Sequence, residues 1–548
     1  MADQESQRQP SSETASIQRK ADVHNLSHAI DNLEAAVEKD GYVFDASLAG
    51  DNGLKTTADG SKILIPQPSA SPLDPLNWSW ARKHLILIII SMTAFLPDYG
   101  SATGAVTLLP QAGIWGMTPD EVNHSQVGNV FMLGVGGVFV VGLAAYFGRY
   151  PVFFWFTVIA TATAVWCTAA QTFESFMAAR ILNGFFSTVA QGGGLMYIKD
   201  LFFFHEHARK INIWSSFIIV SPYLGPLFTA FIINTQIWQW AFGVYTIMTG
   251  LCLFLIIFCI DETYYDRKLS ESQQPARGPK WKRMVGIEQF RSRHLRNTFK
   301  DACMRPIIII CKPPVFISMM YYLLTFAWVV GINTTLSIFL GPLYGFGPKQ
   351  IGKYSSPLSK LFLPFLTKRF KNKKGFFYFT PVTAAILGEI VGHWLHDLIA
   401  KIAARHNNGR LEPEARYVAV WISTPFMIAG LVLLGFALDG KYHYMLASLG
   451  WGLYVFGIMI TTVAVNAYVL DSYPEASGEV AAWINFGRTT GGFVVSYFMV
   501  RWAKEQGTVR QFGTMTGICG FAFLMVLGLQ YYGKRMRLWA GPANFKTI

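Results

Sequence analysis

From His84 to Leu108 the chain reads HLILIIISMTAFLPDYGSATGAVTL, apolar almost without a break, and similar runs recur to its far end. At ~1.5 Å per residue, roughly 20 such residues cross the hydrocarbon core of a bilayer as one helix. Twelve runs meet this description: 84–108, 126–147, 151–171, 175–198, 211–233, 238–260, 313–338, 376–396, 417–438, 442–470, 479–500 and 511–532. The second and third are joined by a short GRYP turn, whereas the polar stretch from Asp261 to Lys312 separates the sixth from the seventh. The pattern therefore predicts an all-α integral membrane protein laid out as six helices plus six. A polar tail (1–80) precedes a first bundle (81–260), a basic central loop (261–312), a second bundle (313–535) and a short tail (536–548).

Composition supports this reading. Of 548 residues, 52% are hydrophobic, 15% aromatic and only 14% charged, where a soluble domain carries about a quarter charged residues. The net charge of +13 sits in short segments between apolar runs, such as ESQQPARGPKWKRM and FRSRHLRNTFK. That is the distribution of the positive-inside rule and not a nucleic-acid footprint. It places the central loop and both termini in the cytosol, with RWAKEQGTVR on the outside as the exception. Residues 1–80 lack the apolar core of a cleavable signal peptide and read as a disordered tail. The six cysteines have neither metal-ligand spacing nor a disulfide pattern and read as core thiols. No cofactor is expected.

Four ionised side chains stand well inside the runs: Asp98, Arg180, Glu389 and Arg488. Each half holds one acid and one arginine. A charge in hydrocarbon costs several kcal/mol, so such residues face partners or a water-filled cavity. Asp98 and Arg180 lie at matching depth and could meet; Glu389 and Arg488 share the inner half at less closely matched depths. They are read either as helix-locking ion pairs or as a substrate and proton site. His393 and Asp397 follow Glu389 at i, i+4 steps on one helical face, either a proton relay or a polar stripe.

The chain has no G-x-x-x-x-G-K-[ST] phosphate cradle and neither H-E-x-x-H nor G-x-S-x-G, so ATP-driven pumping and the commonest hydrolytic chemistries are not expected. Glycine and proline interrupt several runs: GVGGV at 134–138, Gly192-Gly193-Gly194, and Ser221-Pro222-Tyr223-Leu224-Gly225-Pro226. They suit either close helix packing or hinges. Tyr321, Tyr322 and Trp328 are candidates to line a cavity suited to an organic cation.

These pieces resemble the major facilitator superfamily over roughly residues 72–535, and most of all its fungal drug:proton antiporter branch, with a polyamine- and cation-transporter-like subgroup. The resemblance rests on LDPLNWSWARKH before the first run, on Arg180-Ile-Leu-Asn-Gly184, on Gly225-Pro226, on DETYYDR at 261–267, on LEPEAR, and on the stretch from Tyr473 to Gly492. It implies two pseudo-symmetric six-helix bundles rocking around a central cavity. Arg180 would be linked to proton coupling, and Gly148, Arg149, Gly184, Gly225, Pro226 and Asp397 to conformational change. In GLAAYFGRY, Gly148 and Arg149 match the gating loop of the family, but Ala145 stands where its aspartate belongs, so the charge lock is weakened or remade elsewhere. The function implied is proton-coupled export of a drug, toxin or secondary metabolite. Uptake of an organic cation such as a polyamine is the alternative. The partners are a small molecule, protons and lipid. A monomer in the plasma membrane is expected, with the vacuolar membrane as the other location.

Two local features complete the reading. Asn123-His-Ser125 is a glycosylation sequon, expected to be little used so close to a membrane helix. The segment 353–375 carries seven Lys or Arg on the expected outer side and an apolar stretch too short to span. Gly352-Lys-Tyr can be encoded with a splice donor, Leu366-Thr367 with a fungal branch sequence and Lys374-Gly375 with an acceptor. The segment reads as a retained intron whose removal joins PKQIG to FFYFTPV in frame; the alternative is a basic interfacial helix.

Overall fold

The computed structural model describes residues 55–57, 64–267, 273–275, 277–293, 298–344, 379–406 and 412–541. The segment 353–375 and most of the tail 1–80 lie outside the described residues. The first half comprises α1 (Trp80–Trp115), α2 (Pro119–Phe147), α3 (Arg149–Ala169), α4 (Phe173–Ser187), α5 (Val189–Leu201), α6 (Phe204–Thr235) and α7 (Gln239–Cys259). The connector carries α8 (Lys280–Val285), α9 (Ile287–Arg291) and α10 (Phe299–Ile310), helices not anticipated from the sequence. The second half comprises α11 (Pro313–Tyr344), α12 (Phe379–His406), α13 (Val418–Asp439), α14 (Tyr444–Ser472), α15 (Ser477–Gln506) and α16 (Thr508–Ala540).

Over the described residues the twelve apolar runs are almost wholly helical, and most of the helices extend beyond their run by several residues through local signals. Ser79 caps α1 by accepting from the Arg82 N–H. Thr118 and Glu121 form a reciprocal capping box on α2. The run at 175–198 forms two helices, α4 and α5, that meet at Thr188. Among the described residues nine helices are long and apolar enough to cross a membrane by composition alone. Outside that group stand the broken α4–α5 pair, α12 and α15, which carry Arg180, Glu389 and Arg488.

Large apolar side chains such as Phe139, Trp166, Phe254 and Phe258 point outward, while Asp98, Thr103, Gln111, Gln126 and Asn129 are buried. This arrangement inverts a soluble core and suits a lipid surround. The halves meet where α2 packs on α15, α5 on α15, α6 on α12, and α1 on α11. At the connector end Ala481 and Ala482 of α15 join the apolar core of the first half. Further along, Ile219, Tyr223 and Leu227 of α6 join the core of the second.

Cys167, Cys252 and Cys519 are core thiols, but Cys303 and Cys311 are exposed on or beside α10, because the connector helix lies on the surface. Asn123 lies within α2, 1% exposed, with no room for a glycan.

Candidate functional site

Pro97 cannot donate to the helical carbonyl one turn before it, and Asp98 follows at this weak point of α1. Its Oδ2 accepts from Arg488 Nη2 at 2.8 Å and from Gln191 Nε2 at 2.8 Å. Gln191, on α5, also donates to the Ala94 carbonyl at 3.1 Å and accepts from Arg488 at 3.3 Å. Asn485 Oδ1, one turn before Arg488 on α15, accepts from Arg488 Nη2 at 2.8 Å and Nε at 3.1 Å. Phe326 of α11 lies under the guanidinium, 5.3 Å from its ring centre. Both charged side chains are nearly buried.

The expected partnership of Asp98 with Arg180 is corrected by this geometry. Arg180 reaches α1, as its depth implied, but it donates to the Gly100 carbonyl at 2.7 Å and the Ser101 carbonyl at 3.0 Å. At ~100° of rotation per residue Gly100 lies about 200° around α1 from Asp98, and Ser101, nearly one turn on, offers Arg180 only its backbone carbonyl. The matching depth held, but the azimuth separates the two groups. A Cβ at Gly104 would stand 2.8 Å from Arg180 Nη2, so the glycine makes the room the guanidinium occupies. Phe242 flanks it at 5.2 Å. Gly184, one turn beyond Arg180, lets α4 rest on the Asn129 carbonyl of α2.

Glu389 likewise does not pair with Arg488. Its Oε1 accepts from Ser216 of α6 at 2.9 Å, and its Oε2 is buried with no protein partner among the described residues. His393 contacts Asn212 of α6 at 2.6 Å and stands 3.8 Å from Asp397. His393 and Asp397 are 45% and 62% exposed as side chains, so the three groups form a stripe that opens outward at its end. The buried imidazole of this helix is His396, off the stripe, 3.3 Å from the Ile460 carbonyl.

The three aromatic candidates divide between two faces of α11. Tyr322 points to the middle, its hydroxyl 2.9 Å from Thr462 of α14 and within electrostatic reach of Arg488 and Asp98. Tyr321 turns to Thr424 and Thr461, and Trp328 to Cys519, so both pack inside the second half. Tyr223 of α6 stands close to the central pair from the other half.

At the connector end Gly148 makes the α2–α3 turn with φ 95°, in the left-handed region that favours glycine. Arg149 then forms an ion pair with Asp200 at 3.2 Å. Glu262 accepts from the Arg149 N–H at 3.2 Å and the Tyr150 N–H at 3.4 Å, capping α3. Where Ala145 offers no carboxylate, an aspartate from α5 and a glutamate from the connector hold Arg149 and the start of α3. Gly225 lets α6 approach α1, since a Cβ there would stand 2.6 Å from the Tyr99 carbonyl. Pro226 follows it inside α6.

The halves are therefore joined by an acid from one and an arginine from the other, and by Glu389 and His393 reaching across to Ser216 and Asn212. Gln191, Asn485, Ser216 and Asn212 were not singled out in the sequence, because neutral amides and hydroxyls carry no hydropathy signal comparable to a charge. Among the described residues no three His, Cys, Asp or Glu side chains converge as a metal site requires.

A family model described as Major Facilitator Superfamily matches residues 87–496. An uncharacterized MFS-type transporter of Schizosaccharomyces pombe is 24% identical over 89% of this chain and 90% of its own. Protein HOL1 of Saccharomyces cerevisiae is 25% identical over 89% of this chain and 92% of its own. Among solved structures, the proton:xylose symporter XylE aligns with a TM-score of 0.55 at 15% identity, covering 85% of this chain and 100% of that one. The human organic anion transporter MFSD10 aligns with a TM-score of 0.55 at 13% identity, covering 81% and 99%. With a family match across most of its length and two helical halves that meet at a buried ion pair, the chain belongs to the Major Facilitator Superfamily: it is a membrane transporter and not an enzyme.

Proposed function

We propose that the protein is a proton-coupled secondary transporter of a small organic compound, working as a single chain and exporting a drug, toxin or secondary metabolite. The observation that carries this is the Asp98–Arg488 contact at 2.8 Å between α1 and α15. Each partner stabilises the other's charge, and losing one leaves the other buried and costly. A proton on Asp98 turns the ion pair into a weaker neutral contact and leaves Arg488 to rest on Asn485 and Gln191. The halves then part at this point at lower cost. Release of the proton restores the pair and draws them together. Gln191 holds the carboxylate through both states. The Arg149–Asp200–Glu262 cluster holds the connector end, which the basic connector orients toward the cytosol, and the plasma membrane is the location that fits this orientation.

A second reading, uptake of an organic cation such as a polyamine, is favoured by Glu389, whose buried Oε2 has no protein partner among the described residues. Transport of tritiated polyamines, other organic cations and neutral drugs into proteoliposomes with an imposed pH gradient separates the readings. Proton-driven antiport of neutral or amphipathic compounds supports export. Proton-driven symport of a polyamine supports uptake. Equal flux with and without the gradient rejects proton coupling.

A further inference from the structure

Outside the central site, α2, α3 and the turn between α8 and α9 enclose a groove of about 520 Å³, lined by Leu143, Phe147, Pro151, Trp155, Ile287 and Phe290 among others. That is the size of a site for one ligand molecule. Its lining is almost wholly apolar, with Arg291 as the one charged residue. Trp155 closes one wall by donating to the Val285 carbonyl at 3.3 Å. Trp281, Phe290 and Trp155 are about half exposed around it, as at a membrane–water boundary.

We propose that this groove binds an anionic phospholipid, with an acyl chain between α3 and the connector turn and the phosphate on Arg291. Charge decides the class of lipid. From Arg277 to Arg293 the connector carries six Lys or Arg against one acid, Glu288. Arg283 is taken by Asp261 at 2.8 Å and Lys280 by the Phe258 carbonyl at 2.7 Å. Arg291 and Arg293 are exposed and have no ion pair among the described residues. Arg293 stacks over Phe290 at 4.7 Å, which keeps a second cation at the rim. A basic edge over an apolar slot matches a headgroup of net negative charge on a hydrocarbon tail, whereas a zwitterionic headgroup has no net charge for the arginines to attract. The groove is also joined to the end lock: Gln289, on α9, donates to Glu262 at 2.9 Å, the carboxylate that caps α3. A lipid seated here holds the connector against the first half.

The test is native mass spectrometry of the full-length protein titrated with phosphatidylserine or phosphatidylcholine of the same acyl chains, alongside Arg291→Gln and Ile287→Trp. The expected result is a preference for phosphatidylserine that falls about fivefold in Arg291→Gln, and loss of bound lipid of either kind in Ile287→Trp. Equal binding of the two lipids by the wild type overturns the proposal, as does an unchanged preference in Arg291→Gln or unchanged binding in Ile287→Trp. Melting curves of the detergent-solubilised variants distinguish lost lipid from lost fold: a variant that melts far below wild type is replaced by Arg291→Ala or Ile287→Phe, with the same readout.

Discussion

Asp98 and Arg488 lie 390 residues apart in sequence and 2.8 Å apart in space, one on the first helix of the first half and one on the fifth crossing of the second. The contact depends on four helices at once: α1 and α15 carry the pair, α5 supplies Gln191, and α11 supplies Phe326. It joins the two halves through one carboxylate and one guanidinium.

Arg488 is predicted to couple energetically to Asp98 and not to Glu389. In a double-mutant cycle of Asp98→Asn with Arg488→Gln, thermal unfolding in detergent should show a coupling of about 1–3 kcal/mol. The cycle of Glu389→Gln with Arg488→Gln should show none within error. A larger coupling to Glu389 would contradict the geometry.

Gly225 is predicted to be intolerant of any side chain. A Cβ would press on the Tyr99 carbonyl at 2.6 Å, which belongs to backbone and cannot swing away. Gly225→Val should destabilise the protein by about 1–3 kcal/mol or more. Gly113, with open space around it, should accept alanine without loss. Fluorescence-detected size-exclusion melting of the two variants checks this.

Arg149 and Asp200 should behave as one unit. Either Arg149→Gln or Asp200→Asn leaves a part-buried charge without its main partner, at a cost of roughly 3–5 kcal/mol if burial is complete and less at the 16% exposure seen. The double variant should recover part of the loss. Limited proteolysis of the connector reports it: faster cleavage in each single variant than in the double one. Equal cleavage in all three would show that the pair does not hold the connector end.

The connector should loosen in acid. Burial pushes the Asp261 carboxyl up, but the bonds from Arg283 and the Glu262 N–H and the charges of Arg283 and Arg82 outweigh it and hold the group below its ordinary value. A depressed carboxylate contributes stability that is complete above its unfolded pKa and lost as pH falls through the folded one. Docking of residues 277–293 should therefore be constant at neutral pH and fail only below about pH 4. In Arg283→Gln the failure should move to higher pH. Hydrogen exchange over this segment, corrected for intrinsic rate, measures it.

The helices were legible because a membrane span is written in hydropathy, and the runs at 84–108 and 442–470 need no tertiary help to be found. The connector helices α8 to α10 were not, since their short basic segments take their order from ion pairs such as Arg283–Asp261 and Arg305–Glu479. Asp98, Arg180, Glu389 and Arg488 were visible, because each breaks an apolar run. Their pairing was not. Depth along a helix follows from residue count, but the azimuth that sends Arg180 to the Gly100 carbonyl and Arg488 to Asp98 follows from how the helices pack, within the first half for one and between the halves for the other. For the same reason Tyr322 reaches the centre while Tyr321 and Trp328 do not.

Glu389→Gln keeps the bond from Ser216 and removes the charge. Surface expression should be unchanged. Where the substrate is a cation, apparent affinity should fall tenfold or more, about 1.4 kcal/mol, with transport of neutral compounds unaffected. An unchanged affinity for a cationic substrate would leave Glu389 as a structural contact between α12 and α6.

Asp98→Asn tests the central claim most directly. The variant keeps the shape of the side chain and imitates the protonated acid. In proteoliposomes with an imposed pH gradient, and with a tritiated substrate that the wild type accumulates, it should reach normal levels in the membrane and exchange substrate down its gradient. It should not accumulate substrate against one. Accumulation by Asp98→Asn at the wild-type rate would contradict the account and make the Asp98–Arg488 pair a fixed structural joint.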